Sequence, residues 1–370
     1  MRIILSRTDS IGDVVLTLPV AAALKQSIPG CTVIFLGREY TRPVVQLCEH
    51  VDEFVVWDCG VQGSKFKVQG SRFKVQSSTL KVPDYEIGLL RDLKADVIIH
   101  VFPVKEICVA AKMAGIPIRI ATARRFFTWF SCNRLLHIPR KNSNLHESQL
   151  NLKMLKGLGI KNEYGLDEIA GMYGLESGHV DMWTGGQEDK WANGASPVLR
   201  TSNLEPRTSN LEPGTSIILH PKSKGSAREW GLENFSRLID LLPEDKYRIL
   251  VTGTKEEGML MKDFLEKHKE RITNLTGKLS LHEFIDLIGS CDALVAASTG
   301  PLHIAAALGI KAIGLYAPMR PIFPQRWAPV GKNATFLVVD KSCSDCRKTG
   351  DCHCIRSIEP EAVIGKLLTE

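Results

Sequence analysis

Residues 291–317 read CDALVAASTGPLHIAAALGIKAIGLYA, and this stretch decides the class of fold. An apolar strand at 293–296 is followed by a turn of small residues, an apolar helix and a second apolar strand at 313–316. A strand, a helix and another strand in this order form the repeating unit of an α/β sheet. The stretch therefore predicts an α/β domain.

The turn STGPLH, at 298–303, also has the features of an anion site. The first backbone N–H groups of a helix have no partner within the helix and point at whatever lies in front of them. Ser298 or Thr299 can cap the helix, and Gly300 lets a ligand approach closely. The alternative is an ordinary turn between a strand and a helix.

Strands and helices alternate through both halves of the chain. The predicted strands are 3–6, 32–36, 53–57, 96–102, 119–121, 216–219, 247–252, 272–275, 293–296 and 313–316. The predicted helices include 14–28, with Pro19 as a kink, 145–158, 232–242, 256–269, 281–288 and 302–308. Such alternation predicts two doubly wound α/β domains, with ligands at the carboxyl ends of the strands.

Two seven-residue repeats interrupt the alternation. SKFKVQ at 64–69 is nearly copied at 71–76, and RTSNLEP occurs twice between 200 and 213. Two copies cannot build a solenoid, so both are interpreted as inserted surface loops. The predicted organisation is an N-terminal domain (1–175, with an insertion at about 60–82), a linker (176–214), a C-terminal domain (215–345) and a cysteine-rich segment with a terminal helix (346–370).

Composition narrows the classes of function. The chain has 370 residues, 44% of them hydrophobic, and a net charge of +6, which fits an anionic ligand without requiring nucleic acid. There is neither a secretory signal nor an apolar run long enough to span a membrane. Ten cysteines without a signal predict reduced thiols in the cytoplasm. Six scattered cysteines are expected to be small buried hydrophobic residues: Cys31, Cys48, Cys59, Cys108, Cys132 and Cys291.

Two acidic side chains follow the first strand, in the loop RTDSIGD at 7–13. Asp13 directly precedes the predicted helix, so it is either an N-cap or a general base that accepts a proton from an attacking hydroxyl. Asp9 is a second candidate for the base, and spacing does not choose between them.

A basic loop opens the second half, HPKSKGSAREWG at 220–231. Lys222, Lys224 and Arg228 are predicted to clamp a phosphate, with a solvated loop as the alternative. The P-loop and GxGxxG spacings are absent, which disfavours a nicotinamide oxidoreductase.

Arginines alternate with aromatic residues between 119 and 141. Arg124 and Arg125 precede the aromatic run FFTWF, which suits either a membrane surface with anionic head groups or packing in the core.

Near the C-terminus, Cys343 and Cys346 have the spacing of half a zinc site. Cys352 and Cys354 are too close together for a typical second half, so the four cysteines are a weak candidate metal site.

Taken together, these segments resemble the family 9 glycosyltransferases, which include the lipopolysaccharide heptosyltransferases. The matching segments occur in the family's order: RTDSIGD with LP at 18–19, His146 with NL at 151–152, HP at 220–221 with REW at 228–230, LTG at 275–277, and STGPLH with AAA at 305–307. Where many members have aspartate, this chain has Ser298, which removes a negative charge beside a bound diphosphate.

The resemblance implies a GT-B fold, with two Rossmann-like domains facing a central cleft. It implies an inverting, metal-independent transfer from a nucleotide sugar, ADP-heptose in the best-known members, to a lipid-linked glycan acceptor, with no cofactor required. Asp13 matches the proposed base, and Arg228, Glu256, Thr299, Gly300 and His303 fall at donor-binding positions. Asp9, Arg124 and Arg125 are expected to contact the acceptor. The expected location is the cytoplasm, free or peripheral at the cytoplasmic face of the inner membrane. The alternatives are a nucleotide-sugar epimerase or hydrolase of the same fold, or a non-catalytic nucleotide-sugar-binding protein.

Overall fold

The computed structural model describes residues 1–57, 82–140, 143–175, 214–339 and 352–369. Both repeats lie outside the described residues, as do Cys59, Cys343, Cys346 and most of the predicted linker. The domain limits given above therefore stay predictions. Among the described helices, none is long and apolar enough to cross a membrane.

The N-terminal half forms a six-stranded sheet in the order β3-β2-β1-β4-β5-β6. Every described pair of neighbouring strands in it is parallel. The strands are β1 (Arg2–Ser6), β2 (Thr32–Gly37), β3 (Glu53–Val56), β4 (Val97–His100), β5 (Ile118–Thr122) and β6 (Arg134–Leu136). The first five were predicted, whereas β6 is a short edge strand with two exposed residues and no apolar run to signal it.

The C-terminal half repeats this architecture. Its six parallel strands follow the order β12-β11-β10-β7-β8-β9. They are β7 (Thr215–His220), β8 (Tyr247–Val251), β9 (Ile272–Asn274), β10 (Ala293–Ala297), β11 (Lys311–Tyr316) and β12 (Ala334–Val338). The edge strand β12 was not predicted.

Helices cover both faces of each sheet. Those of the N-terminal half are α1 (Ile11–Val15), α2 (Leu18–Ser27), α3 (Arg42–Gln46), α4 (Asp84–Asp92), α5 (Lys105–Met113), α6 (Thr128–Ser131), α7 (Glu147–Leu152) and α8 (Leu166–Ala170). Those of the C-terminal half are α9 (Leu232–Leu241), α10 (Lys255–Leu260), α11 (Lys262–Lys267), α12 (Leu281–Ser290), α13 (Gly300–Ala307), α14 (Pro324–Trp327), α15 (His353–Arg356) and α16 (Pro360–Leu368). The prediction of two doubly wound α/β units is confirmed.

Two of the predicted helices are each replaced by two shorter α-helices in the structure. The predicted helix 14–28 is two helices, because Pro19 lies in the first turn of α2 and starts a new helix instead of bending one. The predicted helix 256–269 is divided at Met261, which leaves helical geometry between α10 and α11.

Alternating side chains of β1 fill two cores. Ile3 and Leu5 pack into a cluster that extends to α2 and α13, whereas Ile4 belongs to a cluster under α4 and α5. Strands with apolar residues on both faces are typical of a parallel sheet covered by helices on both sides. This arrangement places the turns after β1 and β10 at the carboxyl ends of their strands.

Candidate active site

Helices α1 and α13 pack against each other where the two halves of the chain meet. A Cβ built on Gly12 would be 3.0 Å from Cδ2 of His303, and one built on Gly300 would be 2.2 Å from Cγ2 of Ile11. Gly300 was predicted to make room for a ligand. In the structure, the missing side chain of Gly300 makes room for Ile11 of the opposite half, and the role of Gly300 in ligand binding stays a prediction.

Asp13 lies in the first turn of α1, and the N-cap position belongs to Ser10. The alternative interpretation of Asp13 as an N-cap is therefore wrong. Its carboxylate accepts hydrogen bonds from Nη2 of Arg7 and, at 2.5 Å, from Oγ of Ser10. Its side chain keeps 19% of its surface exposed, so a substrate hydroxyl can reach it.

Arg7 organises both acidic residues of the loop. Its side chain is only 3% exposed, and its Nε donates to Oδ1 of Asp9 at 2.6 Å. Burial alone would lower the pKa of Arg7, but the carboxylates of Asp9, Asp13 and Glu147 outweigh it and raise that pKa. Burial raises the pKa of Asp9, and the neighbouring charge of Asp13 adds to this effect.

A network of buried charges joins the two halves beside Arg7. Glu147 is 3% exposed, accepts a hydrogen bond from Arg140, and accepts a second from Nη2 of Arg326 at 2.7 Å. Arg326 also donates to the backbone carbonyl of Arg140. Nearby, Nε2 of His146 lies 2.9 Å from the carbonyl oxygen of Ala328. These contacts connect the loop before α7 to the loop around α14.

The turn after β10 contributes polar groups that have no partner within the described residues. Thr299 is at the N-cap of α13, but its side chain makes no capping hydrogen bond, and its Oγ1 is buried and unpaired. His303 is 4% exposed, and its Nδ1 likewise has no partner. Burial lowers the pKa of His303 to about 4, although the charge of Asp13 acts in the opposite direction. Ser298 hydrogen-bonds to the buried Tyr316.

The predicted phosphate clamp is only partly available in this conformation. Nζ of Lys222 donates to Oε2 of Glu229 at 2.7 Å, so a carboxylate already neutralises this lysine. Lys224 is exposed and has a φ of 50°, which is in the left-handed region that residues other than glycine seldom adopt. Glu256 is exposed at the start of α10, where hydrogen bonds from its own backbone N–H and from Thr254 lower its pKa, with a smaller contribution from Lys224. Arg228 is half-buried.

The arginine and aromatic segment forms a surface next to the cleft. Arg124 and Arg125 are exposed, and the guanidinium of Arg125 lies 4.9 Å from the centroid of the Phe102 ring. The guanidinium of Arg7 lies 5.8 Å from the same centroid. Phe102 thus joins the predicted acceptor arginines to the Asp13 loop.

Three neighbouring aromatic side chains stand in solvent, which contradicts the alternative that they pack in the core. Phe126 is 73% exposed, Trp129 58% and Phe130 63%. The rings of Phe126 and Phe130 pack edge to face with centroids 5.0 Å apart. We call Phe126, Trp129 and Phe130 the aromatic patch.

Of the C-terminal cysteines, Cys352 and Cys354 are buried in the C-terminal core. Their predicted partners lie outside the described residues, so the four-cysteine metal site stays a prediction. The scattered cysteines that the structure describes are all buried, as predicted.

The sequence interpretation missed most of the charge network. Arg7 directly follows β1, and its place at the carboxyl end of a central strand was a usable signal. Arg140, Glu147 and Arg326 gave no such signal, because Arg326 lies 179 positions beyond Glu147.

This chain is similar to known glycosyltransferases in sequence. The profile of Glycosyltransferase family 9 (heptosyltransferase) matches residues 197–354. A Haemophilus influenzae protein described as a glycosyltransferase is 24% identical over 94% of this chain and 90% of its own length. Lipooligosaccharide heptosyltransferase 2 of the same organism is 32% identical over 30% of this chain, a match that spans 33% of that relative.

Solved structures give the same fold. Escherichia coli ADP-heptose lipopolysaccharide heptosyltransferase II superposes with a TM-score of 0.67 at 17% identity, covering 99% of this chain and 97% of that one. The E. coli heptosyltransferase WaaC with ADP superposes with a TM-score of 0.66 at 18% identity, covering 99% of both chains. The predicted GT-B fold is therefore confirmed, and this chain is a glycosyltransferase that is similar to the family 9 heptosyltransferases.

Proposed function

We propose that this enzyme transfers heptose from ADP-heptose to a lipopolysaccharide-core or related glycan acceptor, with inversion at the anomeric carbon. The heptosyltransferase names among its relatives support the class of sugar. WaaC has been solved with ADP-2-deoxy-2-fluoro heptose, which supports ADP-heptose as the donor.

One observation carries the proposal: the Asp13 loop of one half lies directly against the start of α13 in the other. Gly12 touches Gly300 and His303, and the charge of Asp13 acts on His303. A donor diphosphate at the α13 N-terminus would therefore present its sugar to Asp13. Unpaired backbone N–H groups and the polar groups of Thr299 and His303 suit the phosphate side of that donor.

In the proposed reaction, the Asp13 carboxylate accepts the proton of an acceptor hydroxyl. The hydroxyl oxygen attacks the anomeric carbon from the face opposite the diphosphate, and a new carbon–oxygen bond forms. The old bond to the diphosphate breaks, and ADP leaves with the bonding electron pair. Arg7 orients Asp13 for this step by donating a hydrogen bond to its carboxylate.

Positive groups stabilise the leaving diphosphate. The start of α13 supplies backbone N–H groups, Arg228 a guanidinium fork, and Lys224 a mobile point charge. Lys222 joins them only if it leaves Glu229. Glu256 is proposed to bind donor hydroxyls.

Because the cationic side chains and the start of α13 can neutralise the diphosphate, we propose that the transfer needs no metal. Mg²⁺ or Mn²⁺ added to dialysed enzyme should therefore leave kcat unchanged.

The acceptor is proposed to approach from the N-terminal half. Asp9 and Arg125 flank the Asp13 loop, and Arg124 extends the basic edge. The aromatic patch beside these arginines suits peripheral contact with an anionic membrane that carries the lipid-linked acceptor. A cytoplasmic location stays a prediction.

The direct test is heptose transfer by Asp13→Asn. We expect kcat to fall about 10²–10⁴-fold while ADP-heptose still binds, because the amide cannot accept the proton. Asp286→Asn, at an exposed position on α12, is the matched control and should transfer normally. Near-normal transfer by Asp13→Asn would exclude Asp13 as the base. In a separate test, NMR of the product made by the wild-type enzyme should show the inverted anomer.

Product analysis separates the alternatives. Release of free heptose without acceptor would indicate a hydrolase, and a changed sugar still attached to ADP would indicate an epimerase. Donor binding without turnover on any acceptor would indicate a non-catalytic protein and contradict the proposal.

A further inference from the structure

One histidine and two cysteines meet inside the N-terminal half, on the side of the sheet covered by α5. His100 ends β4, Cys108 lies in α5, and Cys132 directly follows α6. One ligand atom of each residue, a ring nitrogen or a sulfur, lies within 4.8 Å of the other two. His100 and Cys108 are 0% exposed and Cys132 is 7% exposed.

His100 has an unusual environment for a buried histidine. Both of its ring nitrogens are buried without a nitrogen or oxygen partner in the described part of the chain, and the thiol of Cys132 is the polar group that interacts with the ring. A buried polar group without a partner costs about 1–3 kcal/mol, so a structure rarely keeps one without compensation. A metal ion bound by the imidazole would supply that compensation.

A further polar atom lies beside His100. Ser6 and His100 are register partners in the parallel strands β1 and β4, so their side chains stand on the same face of the sheet. Oγ of Ser6 is also buried without a partner. The pocket thus offers two sulfurs, an imidazole and a hydroxyl, with apolar neighbours such as Ala121 around them.

We propose that His100, Cys108 and Cys132 bind one zinc ion, with a water as its fourth ligand. Zinc–sulfur bonds of about 2.3 Å and zinc–nitrogen bonds of about 2.0–2.1 Å place tetrahedral ligand atoms roughly 3.5–3.8 Å apart. This spacing lies within the 4.8 Å limit that the three ligand atoms already satisfy. The hydroxyl of Ser6 stands on the same face and can pair with the bound water.

The net charge of the complex favours Zn²⁺ over Cu⁺, which also binds thiolate and imidazole ligands. Two thiolates and a neutral imidazole carry a charge of −2, so Zn²⁺ makes the complex neutral, whereas Cu⁺ leaves a net negative charge in an apolar core. A buried net charge is strongly disfavoured. Thiolate and imidazole ligands both suit zinc, and hard cations such as Mg²⁺ prefer oxygen ligands.

The proposed ion is structural and lies outside the reacting groups. It would tie the end of β4 to α5 and to Cys132, which lies two residues beyond Phe130 of the aromatic patch. Phe102, which contacts Arg7 and Arg125, is two residues beyond His100. The site stands independently of the proposed sugar and acceptor.

Zinc content provides the first test. Untagged full-length protein, dialysed against zinc and then against metal-free buffer, should retain one equivalent more than Cys108→Ala or Cys132→Ala prepared in the same way. Cys31→Ala, which removes a buried thiol elsewhere in the same half, is the matched control and should lose none. The quantity compared is the zinc content of wild type minus that of each variant. Zinc held by the C-terminal cysteines is present in both and does not change this difference. Equal zinc contents in wild type and Cys132→Ala would overturn the proposal.

X-ray absorption at the zinc edge tests the ligands directly, in the wild-type protein and in Cys343→Ser, which lacks one of the C-terminal cysteines. The expected shell has two sulfur and two lighter atoms, and mutation of Cys343 to serine should leave it in place. A shell of only nitrogen and oxygen, one of only sulfur, or recovery of a Cys108–Cys132 disulfide from protein kept under reductant, would each overturn the proposal. Wild-type thermal stability should rise with added zinc, and that rise should be lost in Cys132→Ala.

Discussion

Gly300 lies so close to Ile11 that a Cβ on the glycine would be 2.2 Å from Cγ2 of the isoleucine. The two residues belong to different halves of the chain, at the starts of α13 and α1. Ile11 is branched at Cβ and therefore stiff, so it cannot easily turn away. The approach of the Asp13 loop to the α13 N-terminus consequently depends on the absence of a side chain at 300.

Gly300→Ala should push the two halves apart. We expect transfer activity to fall at least tenfold, because overpacking of this kind costs about 1–3 kcal/mol when the neighbours cannot yield. The double variant Ile11→Ala with Gly300→Ala should recover most of the activity, since shortening Ile11 removes the clash. The measurement is kcat/KM, with small-angle scattering to report the separation of the halves.

Gly365→Ala is the matched control for this experiment. Gly365 lies in α16, and a Cβ there meets nothing within 4 Å. This variant should be fully active. If Gly300→Ala were inactive and Ile11→Ala failed to restore it, the close approach of the two helices would not be the cause.

Arg7→Lys should separate the orientation of Asp13 from its charge. A lysine keeps the positive charge but cannot donate to Asp9 and Asp13 through a rigid fork. We expect kcat to fall roughly 10²-fold through misplacement of the base, with KM for ADP-heptose nearly unchanged. A parallel loss of folding stability without any change in kcat per folded molecule would show that Arg7 is only structural.

Glu147→Gln should destabilise the folded chain. Glu147 is the buried acceptor for Arg140 and Arg326, and Arg7 lies 3.8 Å away. Removing its charge leaves buried guanidinium groups uncompensated, which costs about 3–5 kcal/mol for a broken buried pair. Urea unfolding measures this cost. Glu266→Gln removes an exposed partner of Lys269 and should leave the midpoint of urea unfolding nearly unchanged. Similar losses in both variants would contradict the prediction.

Buried histidines should make the protein sensitive to acid. Burial lowers the pKa of His146 to about 3, and that of His220 and His303 to about 4. In the unfolded chain a histidine titrates near pH 6.5, so between about pH 6.5 and 4 the unfolded state binds more protons. The free energy of unfolding should therefore decrease as the pH falls, by about 1.4 kcal/mol per pH unit for each fully titrating histidine.

His303→Gln tests the contribution of one of these histidines. The advantage of wild type over this variant, measured by urea unfolding, should shrink as the pH falls from 6.5 to 4. His282→Gln, on the exposed face of α12, controls for the loss of a surface histidine. If the difference in the free energy of unfolding between wild type and His303→Gln stays the same from pH 6.5 to 4, the prediction is contradicted. Such a result would mean that His303 binds protons equally well in the folded and the unfolded chain.

The features that could be predicted from the sequence are those that depend on the pattern of neighbouring residues. Apolar runs identified the central strands, and the turn before His303 was recognised because a helix start follows a buried strand at once. The edge strand β6 is short and mostly exposed and has no such run, whereas the apolar run ATFLV of β12 was overlooked. The packing constraint on Gly300 could not be predicted, because it comes from Ile11, which lies far away in the sequence.

The aromatic patch should bind membranes and leave the chemistry unchanged. Phe126, Trp129 and Phe130 are exposed beside Arg124 and Arg125, so apolar insertion and attraction to anionic lipid act at the same place. Because burial of a large apolar side chain is worth about 1.5–3 kcal/mol, the double variant Trp129→Ser with Phe130→Ser should bind vesicles of phosphatidylglycerol and phosphatidylethanolamine at least about tenfold more weakly.

Sedimentation with vesicles measures this binding, and two activity assays show where the loss arises. Transfer to a lipid-linked acceptor in vesicles should fall with binding, whereas transfer to a detached, water-soluble acceptor should stay at the wild-type rate. Met259→Ser with Leu260→Ser removes two side chains that are 64% and 72% exposed in the other half, and it should bind vesicles like wild type. Equal weakening in both double variants would indicate general adhesion of exposed apolar residues, and the aromatic patch would then have no special part in membrane contact.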